Sequence, residues 1–119
     1  MDLSFTKGWP SEWLTQVEEY LQGERREFSV KPELKGTEFQ KAVWRKMMKI
    51  PYGETKTYTQ IAAAIGRPKA ARAVGSACGK NQFPIIIPCH RVVATNGLGG
   101  FTLGLETKKQ LLKLEQKHR

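Results

Sequence analysis

The sequence predicts a mainly α-helical domain, winged helix-turn-helix-like, with little strand content. Three observations predict it. Segments 37–50 and 57–66 each open on a Thr-x-x-Gln capping box ahead of an apolar stripe. Gly66, Arg67 and Pro68 break the second segment from an alanine-rich one, so the chain reads helix, turn, helix. Only Arg91 to Thr95 reads as a short strand, with the glycine-rich loop after it in the place of a wing.

The elements follow in order. "SEWLTQVEEYLQGE" (11–24) sets Trp13, Val17, Tyr20 and Leu21 on one helical face and stops at Gly23. "RREFSVKPELKG" (25–36) reads as an extended connection held open by Pro32. "TEFQKAVWRKMMKI" carries Phe39, Ala42, Val43, Met47 and Ile50 as its core stripe. "TYTQIAAAIG" ends on Gly66, and Pro68 suits the first position of the helix "PKAARAVGSACGKN". Ala62 and Gly66 offer the small contacts that let two helices cross, and Ala73 and Ala77 read as their partners. "FPIIIPCHRVV", the loop "ATNGLGGFTLG" (94–104) and a last helix, "LETKKQLLKLEQKH", complete the chain.

A length of 119 residues suits one domain with a modest core. Charged residues at 26% and hydrophobic ones at 39% are those of a globular protein. No apolar run approaches a membrane span, and the N-terminus lacks the pattern of a signal peptide. The expectation is a cytoplasmic protein (nuclear in a eukaryote), monomeric and away from membranes. Cys78 and Cys89 are too few for a disulfide framework, and with His90 and His118 they lack metal-ligand spacing, so no metal is expected. The formal net charge is +9, unevenly placed. Residues 55–105 contain no Asp or Glu but hold Lys56, Arg67, Lys69, Arg72, Lys80 and Arg91. A charge run is commonly a solvated face; one so free of acids reads as a surface that approaches phosphates.

The second helix of the pair has few base-reading side chains. Ala70, Ala71, Ala73, Gly75 and Ala77 dominate it, and Lys69, Arg72 and Ser76 supply the polar groups. Such a thin helix points to contact of low sequence specificity, in a narrow groove. Arg72 has no acid nearby in sequence; it reads either as a solvated cation or as a probe.

Cys78 reads as a structural thiol in a small-residue helix. Cys89 differs. Pro88 places its backbone by a turn, and His90 and Arg91 beside it form the kind of neighbourhood that lowers a thiol pKa. Ile85, Ile86 and Ile87 would bury the site and limit water. His90 needs a third group to orient it. Glu115, among Leu111, Leu112 and Leu114, either faces inward toward His90 or lies at the surface.

With these pieces in place, the chain resembles the O6-alkylguanine-DNA alkyltransferases. The motifs that carry the likeness are "GTEFQKAVW", "TYTQIAAAIGRPKAARAVGSACGKN", "IPCHRVV" and "GLE…KKQLLKLE", over roughly residues 36 to 115. The resemblance implies an alkyltransferase catalytic domain and suicide repair of double-stranded DNA without a cofactor. Alkylated guanine (with O4-alkylthymine as a second substrate) is flipped from the duplex, and its alkyl group passes once, irreversibly, to Cys89. By position, His90 is the water-mediated base and Glu115 completes the relay. Tyr58 presses on the phosphate backbone and protonates the leaving guanine, Arg72 fills the vacated space, and Asn81 organises the site. The expected DNA-binding set is Tyr58, Lys69, Ala71, Arg72, Ser76 and Arg91.

The chain also departs from the family pattern. The pocket loop reads Phe101, Thr102, Leu103, Gly104, where the family has tyrosine, a small hydroxyl residue and two glycines. Phe101 keeps an aromatic wall, Thr102 keeps a donor for the guanine oxygen, and Leu103 is expected to narrow the pocket against large adducts. Gln82 stands where proline is common. Residues 1–35 read as a remnant of the family's N-terminal domain, one helix plus connection, ahead of a catalytic domain at 36–119. Trp9, Trp13 and Trp44 are expected at the surface, covering the missing interface or driving self-association. The competing readings are a non-catalytic binder of alkylated DNA, whose family members carry tryptophan in place of the cysteine, and a winged-helix regulator.

Overall fold

A computed structural model describes residues 1–119. Five helices carry the fold: α1 (Ser11–Leu21), α2 (Glu38–Met47), α3 (Tyr58–Ala64), α4 (Ala71–Gly79) and α5 (Leu105–Lys117). Two-residue strands β1 (Lys56–Thr57) and β2 (Val92–Val93) form the sheet, and 3-10 turns lie at Ser4–Thr6 and Cys89–Arg91. No helix is long and apolar enough to cross a membrane.

Both capping boxes form. Gln40 N–H bonds Thr37 Oγ1 at 3.1 Å and Gln40 Oε1 answers Thr37 N–H at 3.0 Å. Thr57 and Gln60 repeat the exchange at the start of α3. Each box satisfies two amide donors that the first helical turn leaves unpaired. The glycine stops are equally local. Gly23 and Gly66 have φ of +79° and +78°, a region costly for any side chain. At each, the next residue donates five residues back, Glu24 to Glu19 and Arg67 to Ala62.

Gly66 is therefore a helix terminator and not a crossing contact; a Cβ built there meets nothing within 4 Å. Pro68 does not open α4 either. Ala70 N–H closes a turn on the Arg67 carbonyl at 2.9 Å, and α4 begins at Ala71. Pro68 sits at the corner of that turn, which its fixed φ also suits. Lys69 accordingly lies off the helix. On α4 itself Val74, Ala77 and Cys78 face inward, whereas Ala73 is exposed.

The strand pairing also differs from a wing. β1 and β2 run parallel, Lys56 opposite Val92 and Thr57 opposite Val93. A wing needs an antiparallel hairpin, and here the glycine-rich loop makes only an isolated bridge, Ala94 to Gly97. The short ladder ties the start of α3 to the segment just after Cys89.

Two cores meet at the isoleucine run. Val43, Trp44, Met47, Ile61, Ala62, Val74, Ala77, Ile87, Cys89 and Val92 are among the members of the first, between α2, α3 and α4. Val17, Tyr20, Ile85, Ile86 and Leu111 make the second, between α1 and α5. Residues 1–35 thus share a core with the rest of the chain through α1. Trp44 is buried, its indole N–H bonded to the Ala77 carbonyl at 2.9 Å, so it is no interface residue. Trp9 and Trp13 are half-buried, packed edge-on with each other and against Phe83.

Candidate active site

Cys89 is placed by a sequence of tight backbone turns. Ile85 holds φ at +77°, a conformation that a β-branched residue adopts only when its surroundings enforce it. Burial of Ile85 and Ile86 in one core and Ile87 in the other provides that enforcement. Pro88, at φ −79° and ψ 66°, is the centre of an inverse γ-turn closed by Cys89 N–H to the Ile87 carbonyl at 2.8 Å. The 3-10 turn then delivers Cys89, His90 and Arg91 in three different directions.

The Cys89 thiol meets Asn81. Asn81 Nδ2 donates to Cys89 Sγ at 3.2 Å and to the Ile87 carbonyl at 2.9 Å, while its Oδ1 accepts from Phe83 N–H. Cys89 is only 3% exposed. Burial pushes its thiol up to about 11, with the Asn81 bond and Lys108 pulling weakly the other way. The sequence-level expectation of a lowered thiol pKa is thus reversed. His90 and Arg91 are adjacent in sequence, but neither hydrogen-bonds the sulfur.

Both turn toward Glu115, which faces inward. Glu115 Oε2 lies 2.7 Å from His90 Nε2, 2.9 Å from Arg91 Nη2 and 2.5 Å from the Tyr20 hydroxyl. Its Oε1 accepts from Gly53 N–H at 2.9 Å and Arg91 Nε at 3.0 Å. Burial opposes the charge, but the bonds from His90, Arg91 and Tyr20 prevail and hold the carboxyl at about 2. An ionised carboxylate only accepts, so the His90 hydrogen sits on Nε2. Nδ1 is then a buried lone pair with no protein partner. Burial lowers the imidazole's proton affinity, leaving the ring neutral near pH 7.

Arg91, expected at the DNA surface, is 6% exposed and fully engaged, its remaining nitrogen bonding the Ile50 carbonyl at 2.8 Å. It serves the carboxylate rather than a phosphate. Lys108, which sequence reading passed over as one cation in a lysine-rich helix, is completely buried. Its Nζ donates to the carbonyls of Val92 at 2.6 Å and Gly100 at 2.9 Å and lies 6.0 Å from the Tyr58 ring centroid. Burial lowers its pKa. Tyr20 was legible only as a core residue of α1. Nothing local to either residue signals these partners.

A pocket of about 670 Å³ opens over the thiol. Tyr58, Ala71, Arg72, Gly75, Cys78, Cys89, Phe101 and Thr102 are among its walls. Tyr58 hydroxyl accepts from Gly100 N–H at 3.2 Å. A Cβ on Gly99 would stand 2.6 Å from that hydroxyl, so the loop passes Tyr58 only because Gly99 has no side chain. Burial raises the Tyr58 pKa, keeping it a protonated donor. Leu103 is not part of the lining, because the 101–104 turn, closed by Gly104 N–H to the Phe101 carbonyl, presents Phe101 and Thr102 instead. The expected narrowing by Leu103 therefore has no basis. Cys78 is buried, its thiol pushed up to about 12 by burial and directed at Met47 Sδ, 3.5 Å away. Lys69, Arg72 and Ser76 are exposed together on the outer side of α4.

A model of the 6-O-methylguanine DNA methyltransferase DNA-binding domain matches residues 38–117. The chain belongs to this family. A methylated-DNA–protein-cysteine methyltransferase of Methanosarcina acetivorans is 55% identical over 101 residues, covering 84% of this chain. The chain spans 65% of that relative's length. Mycobacterium tuberculosis OGT in complex with DNA superposes with a TM-score of 0.88 at 48% identity, covering 91% of this chain and 68% of that one. Atl1 of S. pombe, in complex with damaged DNA containing O6-carboxymethylguanine, superposes at 0.59 with 34% identity, over 69% and 79% of the two chains. Membership thus rests on more than the "PCHRVV" motif, since the alkyltransferase fold extends to α1.

Proposed function

We propose that the protein repairs duplex DNA by taking the alkyl group of O6-alkylguanine onto Cys89 Sγ, once per molecule. The observation that carries this reading is a buried thiol at the base of a pocket, beside an imidazole whose Nε2 is locked on Glu115 and whose Nδ1 is free to accept. A thiol held near 11 is protonated at neutral pH, so it must lose its proton as it reacts. A water between Sγ and His90 Nδ1 passes that proton to the ring, and Glu115 at 2.7 Å stabilises the imidazolium. The S–C bond forms as the C–O6 bond breaks. Tyr58 donates its proton to the departing guanine and regains one from the His90 imidazolium through solvent, so the net proton movement is from the thiol to the guanine.

Duplex DNA would meet the acid-free surface, with Tyr58, Lys69, Ala71, Arg72 and Ser76 on it. A base reaches Cys89 only by leaving the stack, because the sulfur lies inside the protein. Arg72, which lines both the pocket and the outer face of α4, would enter the gap. Unstacking costs least at a damaged pair, which supplies part of the selectivity.

The test is intact mass after incubation with a duplex carrying one O6-methylguanine. The expected result is one added methylene unit, mapped to Cys89. Retained duplex binding with unchanged mass sinks transfer and leaves the non-catalytic binder.

A further inference from the structure

The carboxylate behind His90 has one donor that comes from outside the matched domain. Tyr20 lies on α1, whereas the family model covers 38–117. Its ring is completely buried, and its hydroxyl sits 2.5 Å from Glu115 Oε2 and 3.2 Å from His90 Nε2. Glu115 Oε2 and His90 Nε2 are themselves 2.7 Å apart, so the three atoms form a closed triangle. A tyrosine buried for packing alone needs some acceptor, and any backbone carbonyl would serve. This one shares the oxygen that orients the proposed base. We infer that Tyr20 is a positioning residue for alkyl transfer, acting through Glu115 to set the tautomer and basicity of His90.

The chemistry follows from counting acceptor sites. A carboxylate offers about four lone-pair positions. Gly53 N–H, Arg91, His90 and Tyr20 fill them, leaving Glu115 an anion with little capacity to take a further proton. The Tyr20 O–H also draws charge from Oε2 and so moderates its pull on the His90 N–H. Without that hydroxyl, Oε2 binds His90 more strongly, and the ring becomes easier to protonate. A ring protonated before the thiol reacts is no longer a base.

The groups facing His90 are few. Tyr20 comes from α1, Glu115 and Lys108 from α5 and Arg91 from its own turn, while Tyr52 and Gly53 N–H, from the turn before β1, face Glu115. Arg91 stays cationic, and burial holds both tyrosines protonated. His90 is the member that sets the acid side of a rate profile.

This inference rests on the transfer reading, and the experiment separates the two. Single-turnover methyl transfer from an O6-methylguanine duplex is measured between pH 5 and 9 for the wild type and for Tyr20→Phe, with duplex affinity alongside. Tyr20→Phe is expected to bind duplex normally, to transfer about tenfold more slowly at neutral pH, and to show its acid limb at higher pH. A fluorotyrosine at position 20, a stronger donor of the same shape, is expected to move that limb to lower pH. It also provides the test if Tyr20→Phe does not fold. An unshifted limb in the folded variants overturns the role of Tyr20, whether or not the overall rate falls. A wild type that takes up no methyl group overturns the transfer reading instead.

Discussion

Cys89 illustrates how far a side chain's chemistry depends on where its neighbours point. His90 and Arg91 are covalent neighbours that make no direct hydrogen bond to the thiol, because a 3-10 turn separates successive side chains by about 120°. The sulfur is left with Asn81 and a desolvated setting, so it rests as a thiol. On the proposed reading of one transfer per molecule this is an advantage, since a standing thiolate would be consumed by any stray electrophile. The consequence is measurable in the free protein. With a thiol near 11, only about one molecule in ten thousand carries thiolate at pH 7. Alkylation of Cys89 by iodoacetamide should be slow at pH 7 and rise roughly tenfold per pH unit toward 11. A rate already at its plateau by pH 8 would show a pre-formed thiolate. Asn81→Ala should slow the reaction further, as it removes the one donor to the sulfur.

At the scale of elements, α4 does two jobs with opposite faces. Val74, Ala77 and Cys78 anchor it against α2 and α3, with Trp44 bonded to its backbone. Ala71, Arg72, Ala73 and Ser76 stay outside, and on the proposed DNA-binding reading the small Ala71, Ala73 and Ser76 would let a groove wall come close. Arg72 belongs to both regions, lining the pocket and the outer face. Arg72→Ala should therefore slow transfer from duplex O6-methylguanine by about tenfold or more, roughly 1.4 kcal/mol of barrier. Reaction with a free alkylguanine base should change little, because no gap then needs filling. Equal losses on the two substrates would exclude a role in flipping. The helix boundary matters here as well. Because α4 starts at Ala71, Lys69 lies on a turn, outside the helix that the sequence had assigned to it.

The whole molecule converges on Glu115. Its carboxylate ties α5 to α1 through Tyr20, to the turn before β1 through Gly53, and to the Cys89 turn through His90 and Arg91. Its folded pKa of about 2 lies below the ordinary 4.5, so the unfolded chain binds its proton first. The resulting stability, on the order of 3 kcal/mol, is complete above about pH 4.5 and is lost as pH falls toward 2. His90 acts in the same sense from 6.5 downward, because its folded pKa is also depressed. Urea unfolding of the wild type and Glu115→Gln should show a stability gap that is constant from pH 5 to 7 and shrinks below 4.5. A gap independent of pH would mean that the charge of Glu115 contributes nothing. The sequence by itself determined what is set within a few residues: the Thr37–Gln40 and Thr57–Gln60 caps, the stops at Gly23 and Gly66, and the turn that Pro88 imposes on Cys89. These depend on backbone geometry and nearest partners, and the family motifs added the expected reaction. Tertiary structure alone decided the roles of Tyr20, Arg91 and Lys108, the raised Cys89 thiol and the absence of Leu103 from the pocket. Each depends on partners or burial supplied by distant parts of the chain. Tyr20 lies 95 residues from Glu115, and a buried charge takes its character from what surrounds it in space.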